Sequence, residues 1–384
     1  MNRIQSTFAS LFLTGLALAL ACIVIEATAR IALNRVASKA QFDRYASLVQ
    51  LQERYGDGDS AFVPHPYLMF VPRSGHVRGA NRHNALGFRG ADIDFVKAAG
   101  EFRIVAMGAS TTYSSAVADY RSSYPARLES VLRETERSVT VVNSGVPDWT
   151  TWETLISFET RVLDLDPDLV IVHHAINDLE MRVVWPPERY RGDNSGSREA
   201  LVTGIKMPSL FEYSTAIRFL MIRMGWSTPH AAVDRLFRRS QHSLLPEWRA
   251  QQRAGTYPAP PFIERPVEEI LAANPPVYFR RNLTNLIALA RANGVEIALA
   301  TMAVAPARLT LPFASAEDIA GIQEMNAVTR QVAERTGVSI IDFAKADLED
   351  GWFVDGVHLN EEGIEFKAQV FARALEAAGL IPSP

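Results

Sequence analysis

Cysteine is almost absent from this sequence: Cys22 is the only one among 384 residues. A single cysteine cannot form a disulfide within the chain, and it cannot supply the cluster of thiolates that a cysteine-based metal site needs. The sequence therefore excludes both features. For the same reason, the cysteine count carries no information about the redox compartment.

Positive charge is not in excess either. The sequence has 39 lysines and arginines and 43 aspartates and glutamates, and its formal net charge is -4. A nucleic-acid-binding domain usually carries a basic excess, so the composition gives no support for a nucleic-acid partner. Internal repeats and low-complexity tracts are also lacking. What is present is an ordinary globular composition, 48% apolar and 21% charged, in a chain long enough to bury a large core.

Long apolar runs are missing except at the N-terminus, where residues 8–25 contain no charged side chain. As a helix this run covers about 27 Å at roughly 1.5 Å per residue, just enough to cross a bilayer core. The run is apolar on all sides instead of along one stripe, which disfavours a buried helix of a soluble protein. We therefore predict an uncleaved transmembrane anchor over residues 1–31.

A cleaved signal peptide is the main alternative to an anchor. Arg3 and the free amine form a short positive region, and Ala19 and Ala21 are compatible with a small-residue cleavage site. The segment "ALAC" is similar to a lipoprotein signal, but Ala19 stands where leucine is usual and the apolar run continues past Cys22. Three basic residues follow the run: Arg30, Arg35 and Lys39. The distribution of positive charge therefore does not decide the orientation of the span.

From Phe102 onwards, short runs rich in β-branched residues alternate with segments of helical period, which predicts βαβ units and a parallel sheet. The predicted strands are residues 103–107, 139–143, 169–174, 295–301 and 338–342. The predicted helices are residues 124–134, 152–163, 277–293, 319–336 and 361–378. We expect the last helix to begin after an Asn360 cap and to stop at Gly379.

The chain is interpreted as an anchor followed by two further parts. Residues 32–100 are turn-rich and are expected to form an N-terminal extension packed on a main domain of residues 101–384. Residues 185–276 interrupt the alternation with many prolines and are interpreted as an insertion after the third strand. This insertion contains a predicted helix over residues 209–226.

The insertion is also rich in arginine: Arg218, Arg223, Arg235, Arg238, Arg239, Arg249 and Arg253. A solvated basic face over an ordinary apolar contact is the default interpretation. A lid, a membrane-surface element and a contact with an anionic polysaccharide are the alternatives.

Polar residues follow several of the predicted strands, at the edge where open α/β sheets bind their ligands. Ser110 follows the first strand, Gly145 the second and Asn177 the third. Asp355 and His358 follow the fifth. Each of them also has a purely structural explanation, as a helix cap, a turn residue or a hydrogen-bonded pair.

Two histidines at the end of the third predicted strand, His173 and His174, are interpreted as structural. No cluster of further metal-ligand residues accompanies them in the sequence, which disfavours a metal role.

Taken together, the strand-end residues supply the parts of an acyl-transfer site. A serine hydroxyl needs a base to take its proton and an acid to orient that base, and Ser110, His358 and Asp355 supply these groups. A tetrahedral intermediate also needs donors for its oxyanion, worth roughly 3–4 kcal/mol for one donor. The backbone N–H groups of Ser110 and Gly145 and the amide of Asn177 are the candidates. A glycine at position 145 would let the substrate approach closely.

These motifs resemble those of the SGNH hydrolases, also called the GDSL esterase/lipase family, over roughly residues 102–380. The segments "FRIVAMGASTTY", "PDLVIVHHAINDL" and "FVDGVHLNEEG" are similar to family blocks one, three and five. The segments "HPYLMFVP" and "NALGFRG" are similar to extensions of membrane-anchored bacterial members. The resemblance implies a three-layer α/β/α sandwich with a five-stranded parallel sheet in the flavodoxin-like order 2-1-3-4-5. It implies neither a cofactor nor a metal.

Three positions depart from the family pattern. Ala109 stands where the family name expects aspartate, Ala175 where glycine is usual, and Asp148 where a second glycine is common. Ala175 is expected to narrow the pocket beside Asn177. These departures bear on substrate size and efficiency more than on the nucleophile.

The favoured function is a serine esterase that removes a small acyl group, most plausibly acetyl, from an envelope or exported carbohydrate. One alternative is an O-acyltransferase that passes the acyl group to an exported polysaccharide. Another is a non-catalytic envelope protein that binds glycan, with lipid or thioester hydrolysis as a further option. The partners expected are an acyl ester or acylated carbohydrate and the membrane. The resemblance favours a catalytic domain on the periplasmic or extracellular side of the cell membrane.

Overall fold

The computed structural model describes residues 3–47, 50, 54, 61–65, 67–68, 70–134, 138–183, 187–192, 213–227 and 266–382. The chain divides into two compact units, the first formed by residues 1–58 and 199–239 and the second by residues 59–198 and 240–384.

The helices and strands of the described residues are numbered here in chain order. The α-helices are α1 (Arg3–Ile31), α2 (Lys39–Tyr45), α3 (Ser110–Tyr113), α4 (Tyr124–Arg133), α5 (Thr151–Ser157), α6 (Ile176–Met181), α7 (Thr215–Arg223), α8 (Val267–Ala273), α9 (Val277–Ala292), α10 (Ala316–Thr336) and α11 (Glu361–Ala377). The strands are β1 (Phe62–Pro64), β2 (Phe70–Pro72), β3 (Val77–Arg78), β4 (Asn81–Arg82), β5 (Phe102–Gly108), β6 (Val139–Gly145), β7 (Leu169–His173), β8 (Glu296–Ala300) and β9 (Ser339–Ile341).

The second unit is built on a five-stranded parallel sheet in the order β6-β5-β7-β8-β9. In strand numbers of the sheet this is 2-1-3-4-5, so the predicted fold class is confirmed. The strands begin and end within two residues of the predicted bounds. Gly108 at the end of β5 pairs with Gly145 on one side and with His173 on the other. Three of the predicted site segments therefore leave the sheet at neighbouring points.

Both faces of the sheet are covered, which explains why its strands are apolar without alternation. Val105 and Met107 of β5 lie in a core with α9 and α10, whereas Ile104 and Ala106 lie in a second core with α4 and α11. The result is a helix–sheet–helix sandwich. Its two cores fix the sheet from both sides and leave the carboxyl ends of the strands open for a site.

The helices match the predicted segments, with two differences at their ends. The helix predicted over residues 152–163 is not α-helical to its end. A π-helical turn over Phe158–Val162 and a 3-10 turn over Leu163–Leu165 follow α5. Helix α10 begins three residues earlier than predicted, because Ser315 caps it and Asp318 accepts back from the Ser315 N–H.

The C-terminal helix has the predicted ends. The Asn360 side chain accepts from the N–H of Gly363 at 3.0 Å, and Gly379 after the helix has a φ of 65°. Both features are the expected cap and stop signals.

The first unit consists of α1, α2 and α7 with the residues around them. Helix α1 is long and apolar enough to be a membrane anchor or a signal sequence, and its candidate span covers residues 9–36. The Glu26 carboxylate accepts from the Ser214 hydroxyl at 2.8 Å and from the N–H groups of Thr215 and Ala216 at 2.9 and 3.1 Å. The C-terminal part of α1 thus caps the first turn of α7.

The predicted helix over residues 209–226 is observed as α7, and residues 209–212 lie outside the described residues. Arg218 does not lie on a solvated basic face as predicted. Its side chain is buried and donates to the Tyr45 carbonyl at 2.6 Å. Arg223 is exposed. The other arginines of the predicted basic face lie outside the described residues: Arg235, Arg238, Arg239, Arg249 and Arg253.

Candidate active site

Ser110 is the first residue of α3, directly after the end of β5. A side chain at Gly108 would meet the Thr112 side chain and the His173 carbonyl, the latter at 2.6 Å. Because α3 folds back across the strand end, only a glycine fits there. Ala109 is buried beside it. The small residues after β5 therefore allow a tight turn that places a hydroxyl at the end of the strand.

Ser110, His358 and Asp355 form one hydrogen-bonded line. The Ser110 Oγ lies 2.8 Å from His358 Nε2, and His358 Nδ1 lies 2.7 Å from Asp355 Oδ2. Both distances are typical of hydrogen bonds, although the serine and the histidine are 248 residues apart in the chain. The structure thus brings together the three residues predicted from the ends of the first and fifth strands.

Asp355 is held as a carboxylate. Its Oδ1 accepts from the N–H groups of Val357 and His358 at 2.9 and 2.8 Å. Burial acts to raise the pKa of Asp355, but the hydrogen bond from the His358 ring and those from the two backbone N–H groups outweigh it. The pKa therefore lies below its ordinary value, and the carboxylate can stabilise a proton on the imidazole.

The loop that carries Asp355 and His358 is fixed by residues that sequence reasoning did not identify. The Gly356 N–H donates to the Pro312 carbonyl at 2.6 Å, and the Gly356 carbonyl accepts from the Ala305 N–H at 2.8 Å. A side chain at Gly356 would meet the Phe313 carbonyl group. The only signal in the sequence is the glycine between Asp355 and His358.

The predicted oxyanion donor at Gly145 has a partner in the structure. Its N–H donates to the Asn143 Oδ1 at 3.0 Å. A side chain at position 145 would meet the backbone of Thr112 and Tyr113. The packing of α3 against the end of β6 is therefore a structural reason for this glycine, in addition to the close approach of a substrate that the sequence suggested.

Asn177 lies in the first turn of α6, beyond the end of β7. Its amide Nδ2 donates to the Trp149 carbonyl at 2.8 Å, which fixes its orientation and leaves a second hydrogen on the same nitrogen. Asp148, just before Trp149, has a φ of 65°. That left-handed conformation suits the glycine expected here from the resemblance, and aspartate is one of the residues that also adopts it.

A buried arginine from the segment before the sheet supports the chain that follows α3. The Arg89 guanidinium donates to the carbonyls of Tyr113, Ser114, Val117 and Ala118, at 2.9 Å for Ser114 and 2.7 Å for Val117. Ser114 has a φ of 66°, so the chain turns sharply here and leaves carbonyls without helical partners. Arg89 belongs to the segment "NALGFRG", whose resemblance to family extensions did not indicate this function.

His173 is the last residue of β7 and His174 follows it, as the sequence predicted. Within the part of the chain that the structure describes, no group of three histidine, cysteine, aspartate or glutamate residues could hold a metal ion.

A family model described as the GDSL-like Lipase/Acylhydrolase family matches residues 106–365, which is more than half of the chain. The chain belongs to this family. The resemblance inferred from the sequence is thereby confirmed, and the protein is a GDSL-family serine hydrolase. This membership does not favour the alternative of a non-catalytic glycan-binding protein.

Several solved structures are similar in fold to this GDSL-family hydrolase. A lipase/acylhydrolase from Enterococcus faecalis is 18% identical, with 72% of this chain and 96% of that chain covered and a TM-score of 0.39. A GDSL-like lipase from Bacteroides thetaiotaomicron is 16% identical, with 73% and 91% covered and a TM-score of 0.38. An acetyl xylan esterase is 13% identical, with 71% and 100% covered and a TM-score of 0.40. No curated protein sequence matches the chain.

A buried carboxyl group lies next to Asn177 in this hydrolase. Asp178 accepts from the Thr151 N–H at 3.1 Å and from the Thr151 hydroxyl at 2.5 Å. Burial raises the pKa of Asp178 to about 7, against the opposing effect of these hydrogen bonds. Burial also lowers the pKa of His174, whose Nδ1 lies 3.7 Å from the carboxyl, to about 3. At about pH 5 both groups are therefore neutral, and their contact is not an ion pair.

We predict that Asp178→Asn changes the pH dependence of stability. The folded-state pKa of Asp178 is raised, so between about pH 4 and about pH 7 the native state binds more protons than the unfolded state, and stability falls as the pH rises. The asparagine lacks this dependence. Measured by urea unfolding, the variant should gain on the order of 2 kcal/mol relative to the parent between about pH 4.5 and about pH 8.

Asp342→Asn is the control for this measurement. Hydrogen bonds from Arg330 and Lys345 outweigh burial and lower the pKa of Asp342 to about 2. Its contribution is therefore constant over the same pH window and is lost only in stronger acid. A difference between Asp178→Asn and the parent that does not change with pH would contradict the account of Asp178.

Proposed function

We propose that this hydrolase is a serine esterase in which Ser110 is the nucleophile, His358 the general base and acid, and Asp355 the carboxylate that orients and stabilises the imidazole. The observation that supports this most strongly is the continuous line of hydrogen bonds, 2.8 Å from Ser110 to His358 and 2.7 Å from His358 to Asp355. Such contacts match the geometry that proton transfer requires.

In the proposed first half-reaction, Ser110 Oγ attacks the ester carbonyl carbon while its proton passes to His358 Nε2. The tetrahedral intermediate collapses when the bond to the alcohol oxygen breaks, and that oxygen takes the proton from His358. The products of this step are an acyl-enzyme and a free alcohol. Asp355 stays ionised throughout and stabilises the imidazolium.

In the second half-reaction, His358 takes a proton from a water molecule whose oxygen attacks the acyl carbon. The bond to Ser110 Oγ then breaks, and the serine oxygen recovers the proton from His358. The products are a carboxylic acid and the free enzyme, so no cofactor or metal enters the proposed scheme.

The proposed oxyanion hole consists of the N–H groups of Ser110 and Gly145 and the Asn177 side-chain amide. The Ser110 N–H stands at the first position of α3 and has no partner within that helix. Asn177 offers the hydrogen that Trp149 does not use. The Gly145 N–H can contribute only by exchanging its bond to Asn143 for one to the oxyanion.

The proposed substrate is an ester of a small acyl group, such as acetyl, on an envelope or exported carbohydrate. A cavity of about 20 Å³ adjoins His358, and its lining combines Met302, Phe343 and Val357 with polar residues such as Thr111 and His173. This volume is enough for a water molecule. The small acyl group is proposed from the resemblance of the sequence motifs.

The proposed location is the cell membrane, with α1 as an uncleaved anchor over residues 1–31 and the catalytic domain on the periplasmic or extracellular side. In support, Glu26 and Arg30 near the end of α1 bind residues of the segment before and within α7. The end of the helix is thus part of a folded unit. We also propose that residues 32–100 form an extension and residues 101–384 a hydrolase domain, with an insertion over residues 185–276.

We predict that Ser110→Ala lowers kcat/KM for an aryl acetate by at least about a thousandfold, because no other group can form the acyl-enzyme. Ser115→Ala is the matched control. Its hydroxyl lies close to Ser110 in the chain and is buried without a hydrogen-bond partner, so its removal should leave the rate unchanged. Equal hydrolysis rates for the parent and Ser110→Ala would contradict the proposal.

With an acetylated oligosaccharide, we expect free acetate as the main product, because hydrolysis passes the acyl group to water. Product analysis by mass spectrometry in the presence of an unacetylated sugar acceptor provides the measurement. If most of the acyl group appears on the acceptor, the acyltransferase function is correct and hydrolysis is a side reaction.

For the anchor, we predict that a fluorophore on Cys22 is quenched by spin-labelled lipids when the full chain is in lipid nanodiscs. Cys22 is the only cysteine and is exposed on α1, so it is labelled without any substitution. The control is Cys22→Ser with Val277→Cys, an exposed position in the second unit, which should not be quenched. A Cys22 label that is quenched by aqueous iodide and not by lipid would exclude the anchor.

A further inference from the structure

Lys367 lies on α11 with its side chain buried beneath the turn that carries Ser110. It is 3% exposed. Its Nζ donates to the Thr111 carbonyl at 3.1 Å and lies 3.2 Å from His173 Nδ1. The same nitrogen lies 4.1 Å from the centre of the Tyr124 ring, whose face attracts a cation. The directions around the ammonium group are therefore occupied by a carbonyl, an imidazole and an aromatic face.

No carboxylate among the described residues pairs with this ammonium group. A buried lysine without a counter-charge is costly, and burial lowers the pKa of Lys367 to about 7. A methionine or leucine would fill the same space without that cost. The charge and the hydrogen bonds of Lys367 therefore call for an explanation beyond packing.

His173 is suited to accept the hydrogen bond from Lys367. Burial lowers the pKa of His173 well below its ordinary value, so the imidazole is neutral. A neutral imidazole has one nitrogen with a free electron pair, and the contact of Nδ1 with the ammonium group at 3.2 Å is consistent with that pair lying on Nδ1. Lys367 is accordingly the donor in this pair.

The position of Lys367 relates it to two of the proposed reacting residues. Thr111, whose carbonyl it binds, directly follows Ser110 in α3. Lys367 and His358 also line the same cavity of about 20 Å³, together with His173 and Thr111. A space of that size holds one water molecule, and both residues border it.

We propose that Lys367 is a positioning residue of the esterase, which fixes the nucleophile turn through the Thr111 carbonyl and acts through its charge on the proton that His358 carries. This inference rests on the proposed function of Ser110 and His358. Lys367 itself does not touch the reacting atoms.

The two effects have different physical origins. The hydrogen bond to Thr111 limits the movement of α3 and so keeps Ser110 Oγ in line with His358. The positive charge disfavours a second positive charge on His358 nearby, because the surrounding core screens it weakly. Loss of this charge should therefore show in the acid limb of the pH profile of kcat/KM.

The other titratable groups that face Lys367 do not supply this charge. His173 is neutral, and burial raises the pKa of Tyr124, so neither is ionised in neutral or mildly acidic solution. Beyond the cavity, Asp355 is ionised and binds His358. Neither His173 nor Tyr124 therefore carries a charge that could replace that of Lys367.

The test compares Lys367→Met and Lys367→Gln in the full-length protein, with Lys345→Met as the control. Methionine removes the charge and the donor, whereas glutamine removes the charge and keeps an amide donor. Lys345 is a surface lysine whose side chain is 73% exposed. For an aryl acetate, kcat and KM are measured separately, and kcat/KM is followed as a function of pH.

We expect Lys367→Met to lower kcat about tenfold with little change in KM, and Lys367→Gln to recover part of that loss. Both variants should move the acid limb of kcat/KM to higher pH, by about half a unit or more, because both lack the charge. Lys345→Met should match the parent in every respect.

An acid limb that stays in place in the folded variants would overturn the proposal, even if kcat falls, because Lys367 would then only support the fold. If Lys367→Met does not fold, the pH profile of Lys367→Gln decides alone. Ser110→Ala is assayed alongside. Activity that survives in Ser110→Ala shows that the proposed function is wrong, and this outcome is distinct from a failure of the Lys367 variants.

Discussion

The contact between Ser110 Oγ and His358 Nε2 is the constraint on which the site depends. It joins residues 248 positions apart, so local structure alone cannot form it. The parallel sheet creates it by ending β5 and β9 at the same edge of the molecule. The turns beyond those strands are then fixed by residues outside the sheet. Arg89 binds carbonyls of the segment after α3, and the Pro312 carbonyl accepts from the Gly356 N–H.

The environments of the carboxyl groups around the site differ, and their charge states differ accordingly. Asp355 is partly buried but receives the His358 ring and two backbone N–H groups, which keep it ionised. Asp178 is fully buried with fewer donors, and its pKa of about 7 leaves it largely protonated in mild acid. Complete burial with few donors at Asp178, and partial burial with the His358 ring and two N–H donors at Asp355, together decide which carboxyl group can support an imidazolium.

Much of the fold and of the site could be predicted from the sequence. Strands such as β5 and β7 are short, β-branched and apolar on both faces, which is typical of parallel sheets with covered faces. The serine, histidine and aspartate were identifiable because acyl transfer requires those residue types and because their segments resemble blocks of the GDSL family. Ser315 and Asp318 also carried a capping signal, which would have placed the start of α10 correctly.

Other features could not be predicted because they depend on which distant segments meet. Arg89 and Lys367 lie in segments whose local patterns suit a loop and a helix, and their buried contacts arise only in the folded chain. The packing reason for Gly145 was missed for the same reason, because the backbone of Thr112 and Tyr113 that excludes a side chain follows a different strand, β5. The sequence therefore indicates the reacting residues, whereas the residues that hold them in place are identified only from the folded structure.

The most direct measurement is a structure of the protein after reaction with an aryl phosphonate, which mimics the tetrahedral intermediate. We expect a bond from phosphorus to Ser110 Oγ, with the phosphoryl oxygen about 2.7–3.1 Å from the Ser110 N–H nitrogen and Asn177 Nδ2. An adduct on another side chain, or a phosphoryl oxygen that points away from both donors, would contradict the proposal.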